Sequence, residues 1–157
     1  MKKDINVFGL TGQQAGIISD STYGNATIKS VYTNNILNYL NEDNIVIIAG
    51  FQAADRFGNI TTLGRGGSDL SAVAIASALN AKKCEIYSDI DGVFSADPKI
   101  ITRAKLLKKI SYNEMLEAAS AGAKVLHNRS VHMGKKNSMP ISVSYTHLRA
   151  HETCADL

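Results

Sequence analysis

The sequence predicts an α/β fold with parallel strand pairing, and three observations predict it. Residues 45–49, Ile-Val-Ile-Ile-Ala, form a largely β-branched apolar run, the composition of a strand covered on both faces. Residues 70–80 are alanine-rich and carry Val73, Ile75 and Leu79, which suits a buried helix. Residues 84–87, Cys-Glu-Ile-Tyr, read as the next strand. Strand, helix and strand in that order make a βαβ unit, which implies a parallel pair and a right-handed crossover. In this reading 45–49 is the centre of the sheet.

The remaining elements follow from local patterns. Ala15-Gly16-Ile17-Ile18-Ser19 is short and apolar, and residues 26–31 alternate with period two, so both read as strands. Asp20-Ser21-Thr22-Tyr23-Gly24-Asn25 between them is a dense turn signal. A helix is predicted over 34–40, with Thr33 as its cap and Ile36, Leu37 and Leu40 on one face. Residues 50–67 are a long glycine-punctuated loop, in which Asp55-Arg56-Phe57-Gly58-Asn59 reads as a hairpin turn between 51–54 and 60–63. Ser111-Tyr112-Asn113-Glu114 has the capping-box pattern and opens a helix to about residue 121, with Met115, Leu116 and Ala119 as its inner stripe and Gly122 as its end. A second helical stretch is predicted over 128–136 and a last strand over 139–143. No repeat or low-complexity segment interrupts the pattern.

Composition narrows the function class. The chain has 157 residues, 45% of them hydrophobic, enough for one domain with a core. A net charge of +3, 6% aromatics and scattered lysines and arginines are not the footprint of a nucleic-acid binder. No stretch approaches the about eighteen apolar residues of a membrane span. The first six residues lack an apolar secretion core, so a cytoplasmic protein is expected. Cys84 and Cys154 are far apart and suggest neither a disulfide framework nor a metal cluster; Cys84 is expected to pack as a small hydrophobe.

The densest chemical signal is Thr61-Thr62-Leu63-Gly64-Arg65-Gly66-Gly67-Ser68-Asp69. Its three glycines allow a tight turn and a close approach of backbone to ligand. Ser68 or Asp69 is the expected N-cap of the helix that follows, whose first N–H groups and positive dipole end suit an anion. Arg65 offers a planar fork for a carboxylate or phosphate, and Asp69 a partner for a cationic group such as an amine. A plain glycine-rich turn is the competing reading. After the 84–87 strand comes Ser88-Asp89-Ile90-Asp91-Gly92-Val93-Phe94-Ser95-Ala96-Asp97-Pro98-Lys99, placed where parallel sheets bind ligands. It is not a calcium loop: its glycine falls too early and it has no glutamate at the twelfth place. An Asp-rich turn remains the bland alternative. Lys124, flanked by apolar residues after the helix-ending Gly122, must snorkel to water or meet an anion.

Together these strings resemble aspartate kinase, of the amino-acid kinase superfamily. The likeness rests on Ile60-Thr61-Thr62-Leu63-Gly64-Arg65-Gly66-Gly67-Ser68-Asp69, on Glu85 through Lys99, on Ile110-Ser111-Tyr112-Asn113-Glu114-Met115 and on Gly122-Ala123-Lys124-Val125-Leu126-His127. It extends upstream to Leu10-Thr11-Gly12-Gln13-Gln14-Ala15-Gly16-Ile17 and spans about residues 8–143. The resemblance implies a three-layer αβα sandwich with a mainly parallel sheet, here incomplete, and ATP-dependent phosphorylation of the β-carboxylate of L-aspartate, with Mg²⁺ accompanying ATP. It implies that Arg65 binds a substrate carboxylate and Asp69 the ammonium group, with Gly66, Gly67 and Ser68 framing the reaction centre. Ser88, Asp89, Phe94 and Lys99 would lie at the nucleotide, and Lys124 would reach its phosphates. Phe94 stands where the family has tyrosine and Lys99 where it has arginine, which keeps the charge but loses the fork. Asp69 and Lys124 are the expected catalytic pair.

The departures are as specific as the matches. The family's opening Lys-Phe-Gly-Gly-Thr-Ser-like strand, its upstream acidic substrate contact and its regulatory ACT domains are all missing from this sequence. Residues 1–143 are therefore expected to be a partial kinase domain, and 144–157 a disordered or artefactual tail unlike the family. His147, His151 and Cys154 in that tail do not make a metal site in this reading. A homo-oligomer is compatible with the resemblance. The competing functions are a nucleotide-binding or interaction module without turnover, and a kinase of another acidic amino acid.

Overall fold

A computed structural model describes residues 6–42, 44–123 and 125–146, and the backbone of 153–156. The chain divides into two compact units, Met1–Leu79 and Asn80–Leu157. Their elements are those of an α/β fold, as predicted, with parallel and antiparallel pairs mixed.

The first unit runs β1 (Val7–Leu10), β2 (Ile17–Ser19), β3 (Ile28–Val31), α1 (Asn34–Leu40), β4 (Ile45–Ile48), β5 (Gln52–Ala54), β6 (Ile60–Thr62) and α2 (Gly67–Ala78). Strands β1 and β4 pair in parallel, Val7 opposite Ile45 through Leu10 opposite Ile48. The other four lie in the order β3-β2-β5-β6, with β2 and β5 parallel and the outer pairs antiparallel. Helix α1 packs on β4 and buries Ile36, while Phe8 of β1 stacks on Tyr39 at 4.4 Å between centroids. Helix α2 packs against β3 and β5 through Leu70, Val73 and Ala74.

The second unit runs β7 (Cys84–Ser88), β8 (Lys109–Ser111), α3 (Tyr112–Ser120), α4 (Asn128–Asn137), β9 (Ile141–Tyr145) and β10 (Thr153–Asp156). Its sheet has the order β7-β9-β10-β8, parallel between β7 and β9 and between β10 and β8, antiparallel between β9 and β10. Ser111 caps α3 in a complete capping box with Glu114, as its sequence pattern predicts. Helix α4 crosses β9 closely at Gly134, where a Cβ would stand 2.8 Å from Ile141 Cδ1 and 3.1 Å from Tyr112 Cε1. The Tyr112 hydroxyl donates to the Met139 carbonyl, which pins α3 to the start of that strand. Cys84 is buried, as its apolar setting suggested.

Several expectations are corrected. Residues 45–49 are not a strand covered on both faces. Along β4 exposure alternates, and Ile45 and Ile47 are 47% and 59% exposed, because α1 covers one face only. A β-branched run favours the extended backbone whether or not both faces are buried. Within the first unit β4 pairs in parallel with β1, and within the second β7 pairs in parallel with β9. Helix α2 is buried along one side rather than all round. Thr33 precedes α1 without a side-chain capping bond, and Leu37 and Leu40 are each 39% exposed.

Strands β1 and β8 had no recognisable pattern, being four and three residues long without clear alternation. Their hydrogen-bond partners lie far along the chain. The segment expected to be an unstructured tail contributes Ser144 and Tyr145 to β9 and Thr153–Asp156 to β10. His147 and His151 lie outside the described residues.

Replacing Ser111 by alanine should cost about 1 kcal/mol of stability, measured by urea denaturation, since it removes the α3 cap. Hydrogen bonds from the Ser111 hydroxyl and amide hold the Glu114 carboxyl below its ordinary range. A depressed carboxyl stabilises the fold above its unfolded-state value and loses that contribution as pH falls through the folded one. The Ser111→Ala penalty should therefore shrink in acid.

Candidate functional site

The Gly-rich turn is built by close packing. Leu63, fully buried, donates its N–H to the Phe51 carbonyl at 2.9 Å, and the Thr62 carbonyl accepts from Ala26 at 2.9 Å. Gly64 follows with φ +74°, and a Cβ there would stand 2.7 Å from Asn25 Oδ1 and 3.0 Å from the Gly24 carbonyl oxygen. The Gly67 N–H closes back on the Gly64 carbonyl at 2.9 Å, and the Leu70 N–H donates to Gly66 at 3.0 Å. Helix α2 thus begins at Gly67, three residues before the predicted start.

Neither Ser68 nor Asp69 is the cap. Gly66, left-handed at φ +68°, holds that position, and no side chain caps the helix. The positive end of the helix dipole lies at this turn. Arg65 and Ser68 are exposed on this turn, and Asp69, half-buried, stands in the first turn of the helix. The structure thus brings Arg65, Gly66, Gly67, Ser68 and Asp69 together on one turn, with both signs of charge.

Two supports of the turn had no sequence signal. Phe51 is left-handed at φ +70°, a conformation disfavoured for a bulky side chain. It is held by its N–H, which donates to Ser71 Oγ at 3.3 Å, while that buried hydroxyl donates to the Ser68 carbonyl at 2.8 Å. A Cβ at Gly67 would stand 2.9 Å from both Leu63 Cβ and Phe51 Cδ2, so the helix start is wedged between them. The second support is Asp55, only 2% exposed, which closes the β5–β6 hairpin by accepting from the Phe57 and Asn59 amides, each at 2.9 Å. Burial pushes its carboxyl up, but the bonds from Asn59, Phe57 and Ser21 outweigh that and hold it down at about 2.

In the second unit Ser88 ends β7 opposite Tyr145 of β9, at the carboxyl end of a parallel pair. Its hydroxyl donates to Asp89 Oδ1 at 3.1 Å. The loop beyond is folded back on itself: Phe94 bridges to Leu106, Leu107 donates to the Val93 carbonyl at 2.8 Å, and Ser95 to that of Lys105 at 2.9 Å. Asp97 is occupied by this loop, accepting from the Lys99 N–H at 2.8 Å, while Lys99 itself is exposed. Lys124 lies outside the described residues. An open depression of about 520 Å³ on this unit is lined by Lys109, Ser111, Tyr112, Glu114 and Ser138 among others, and touches none of the predicted residues. Among the described residues no three His, Cys, Asp or Glu side chains gather as a metal cage.

Comparison with known proteins places the family. A profile of the amino acid kinase family matches residues 1–144. The chain belongs to the amino acid kinase family. It is 56% identical over 132 residues to the aspartokinase of Helicobacter pylori, a match covering 84% of this chain and 33% of that protein. It is 50% identical over 142 residues to the aspartokinase of Geobacillus stearothermophilus, covering 90% and 35%. The E. coli aspartokinase III, solved in complex with aspartate and ADP, superposes with a TM-score of 0.84 at 28% identity, over 98% of this chain and 36% of that one. The chain thus spans about a third of the length of these family relatives. No helix among the described residues is long and apolar enough to cross a membrane.

Gly64→Ala should destabilise the first unit by about 1–3 kcal/mol, read as a lower denaturation midpoint, because it combines a left-handed φ with backbone overlap. Asp55 stabilises above its ordinary carboxyl value, about 4, and loses that contribution as pH falls toward about 2. Acid titration of the unfolding free energy should therefore drop less steeply over that window in Asp55→Asn than in the unsubstituted chain.

Proposed function

We propose that this chain is the part of an aspartokinase that grips the amino acid and the nucleotide phosphates during ATP-dependent phosphorylation of the L-aspartate β-carboxylate. The observation that carries the reading is the Leu-Gly-Arg-Gly-Gly-Ser-Asp turn at the start of α2. It sets a guanidinium and a carboxylate on one rigid loop, the complement of a small zwitterion. Identity of 56% and 50% to proteins named aspartokinase supports the substrate assignment.

In this reading Arg65 pairs with a substrate carboxylate and Asp69 with its ammonium group, while Gly66, Gly67 and Ser68 let the two substrates meet. A β-carboxylate oxygen attacks the γ-phosphorus, the bond to the bridging oxygen breaks, and ADP leaves with that electron pair, giving 4-phospho-L-aspartate. Such a transfer asks the protein for alignment and neutralisation of charge rather than covalent help. Ser88, Asp89 and Phe94 would border the nucleotide, and Lys99 and Lys124 would neutralise its phosphates. Mg²⁺ would arrive bound to the ATP phosphates and share that neutralisation. The reaction opens lysine, threonine and methionine synthesis, a cytoplasmic role, and a homo-oligomer is compatible with it.

A coupled assay with ATP, Mg²⁺ and aspartate, run beside glutamate, tests the proposal. At best very weak turnover is expected, selective for aspartate. Turnover with glutamate alone would reassign the substrate, and nucleotide binding without turnover would leave a binding module. Arg65→Ala should weaken aspartate binding by about tenfold or more, as loss of a charged hydrogen-bonding partner does. Lys124→Ala should weaken ATP binding in calorimetry, and unchanged affinity would remove Lys124 from the site.

A further inference from the structure

Asp55 is a buried carboxylate that the proposed chemistry does not use, and it has more partners than its own turn requires. Its Oδ1 serves the hairpin, accepting from the Phe57 and Asn59 amides. Its Oδ2 reaches across the fold instead, accepting from Ser21 Oγ at 3.1 Å and from the Tyr23 hydroxyl at 3.1 Å, besides the Asn59 side-chain amide at 3.2 Å. A carboxylate that only closed a turn would leave this second oxygen to water. Here it draws in the 20–25 connection, which Asp20 also braces by accepting from the Thr22 and Thr27 backbone amides and pairing with Lys29 at 3.3 Å.

The connection that Asp55 draws in is also the floor of the Gly-rich turn. Gly24 and Asn25 are the groups that approach Gly64 so closely that no Cβ fits, and the next residue, Ala26, donates to the Thr62 carbonyl. Movement of 21–25 away from the hairpin would open the space beneath Gly64 and free the peptide that carries Arg65. We infer that Asp55 is a positioning residue for the substrate loop, acting through Ser21 and Tyr23 to hold Gly24 and Asn25 beneath Gly64 and so fix Arg65 and the start of α2. The positioning stands on the geometry alone; its effect on aspartate rests on the proposed role of Arg65.

The test cuts the distant arm and leaves the hairpin intact. In the Ser21→Ala/Tyr23→Phe double variant of the full chain, both altered side chains are exposed and the Oδ1 bonds remain. Amide hydrogen exchange without ligand should quicken about fivefold across residues 64–69, the effect of losing about one net hydrogen bond on local opening. Exchange within the second unit should stay unchanged. Unchanged exchange at 64–69, with quickening confined to 20–25 or 55–59, would overturn the inference. Should the double variant fail to fold by circular dichroism, Tyr23→Phe alone provides the same readout, with a smaller rise expected and no rise overturning it.

Calorimetric titration with L-aspartate separates the two readings. Weaker binding in the variant than in the unsubstituted chain supports both. Absence of binding to the unsubstituted chain overturns the substrate proposal, while the exchange result still decides the role of Asp55.

Discussion

The close approach of Gly64 to Gly24 and Asn25 is the contact on which the candidate site depends. It forces a left-handed turn, the turn returns the Gly67 N–H to the Gly64 carbonyl, and that hydrogen bond sets where α2 begins. Leu63 and the Phe51 ring then leave no room for a Cβ at Gly67. The helix start is therefore fixed by packing rather than by a capping side chain. A Ser or Asp side chain at the cap would accept from an amide of the first turn, a bond that glycine cannot supply.

The same economy explains where charge is placed. Arg65 and Ser68 are exposed while Asp69 is half-buried in the first turn, where a carboxylate also complements the helix dipole. Asp55 and Asp20 are the opposite case. Their carboxylates are consumed by hydrogen bonds within the fold and are held near 2, so they act as structural anions. Asp97 is likewise turned to the support of its own loop. These three carboxylates are thus used to build the segments that carry them.

Phe51 illustrates how strain concentrates beside such a loop. A bulky residue at φ +70° persists only where its surroundings over-determine it, here through Ser71 on one side and the Leu63 N–H on the other. The Ser71 hydroxyl serves two backbone groups at once, joining the strand end to the helix start. An alanine there would leave both without this partner. The conformation of the Gly-rich turn is in this sense a property of residues reaching more than forty positions away, from Ser21 to Ser71.

Sequence alone determined what depends on neighbours along the chain. The capping box at Ser111 and Glu114, the hairpin about Asp55–Asn59, the extent of α1 and the strands at β2, β3, β7 and β9 follow from local turn chemistry and periodicity. The Leu-Gly-Arg-Gly-Gly-Ser-Asp string likewise marked the candidate site. Tertiary structure decided what depends on contact between distant segments. It paired β4 with β1 and left one face of β4 open, although a β-branched run reads the same in a central or a half-covered strand. It moved the cap of α2 from Ser68 or Asp69 to Gly66, because the space beneath Gly64 and around Gly67 outweighs the capping preference of a serine or aspartate. It also gave Asp55 its reach to Ser21 and Tyr23, for which no periodicity exists, since a side-chain hydrogen bond across thirty or more residues leaves no pattern in the chain that makes it.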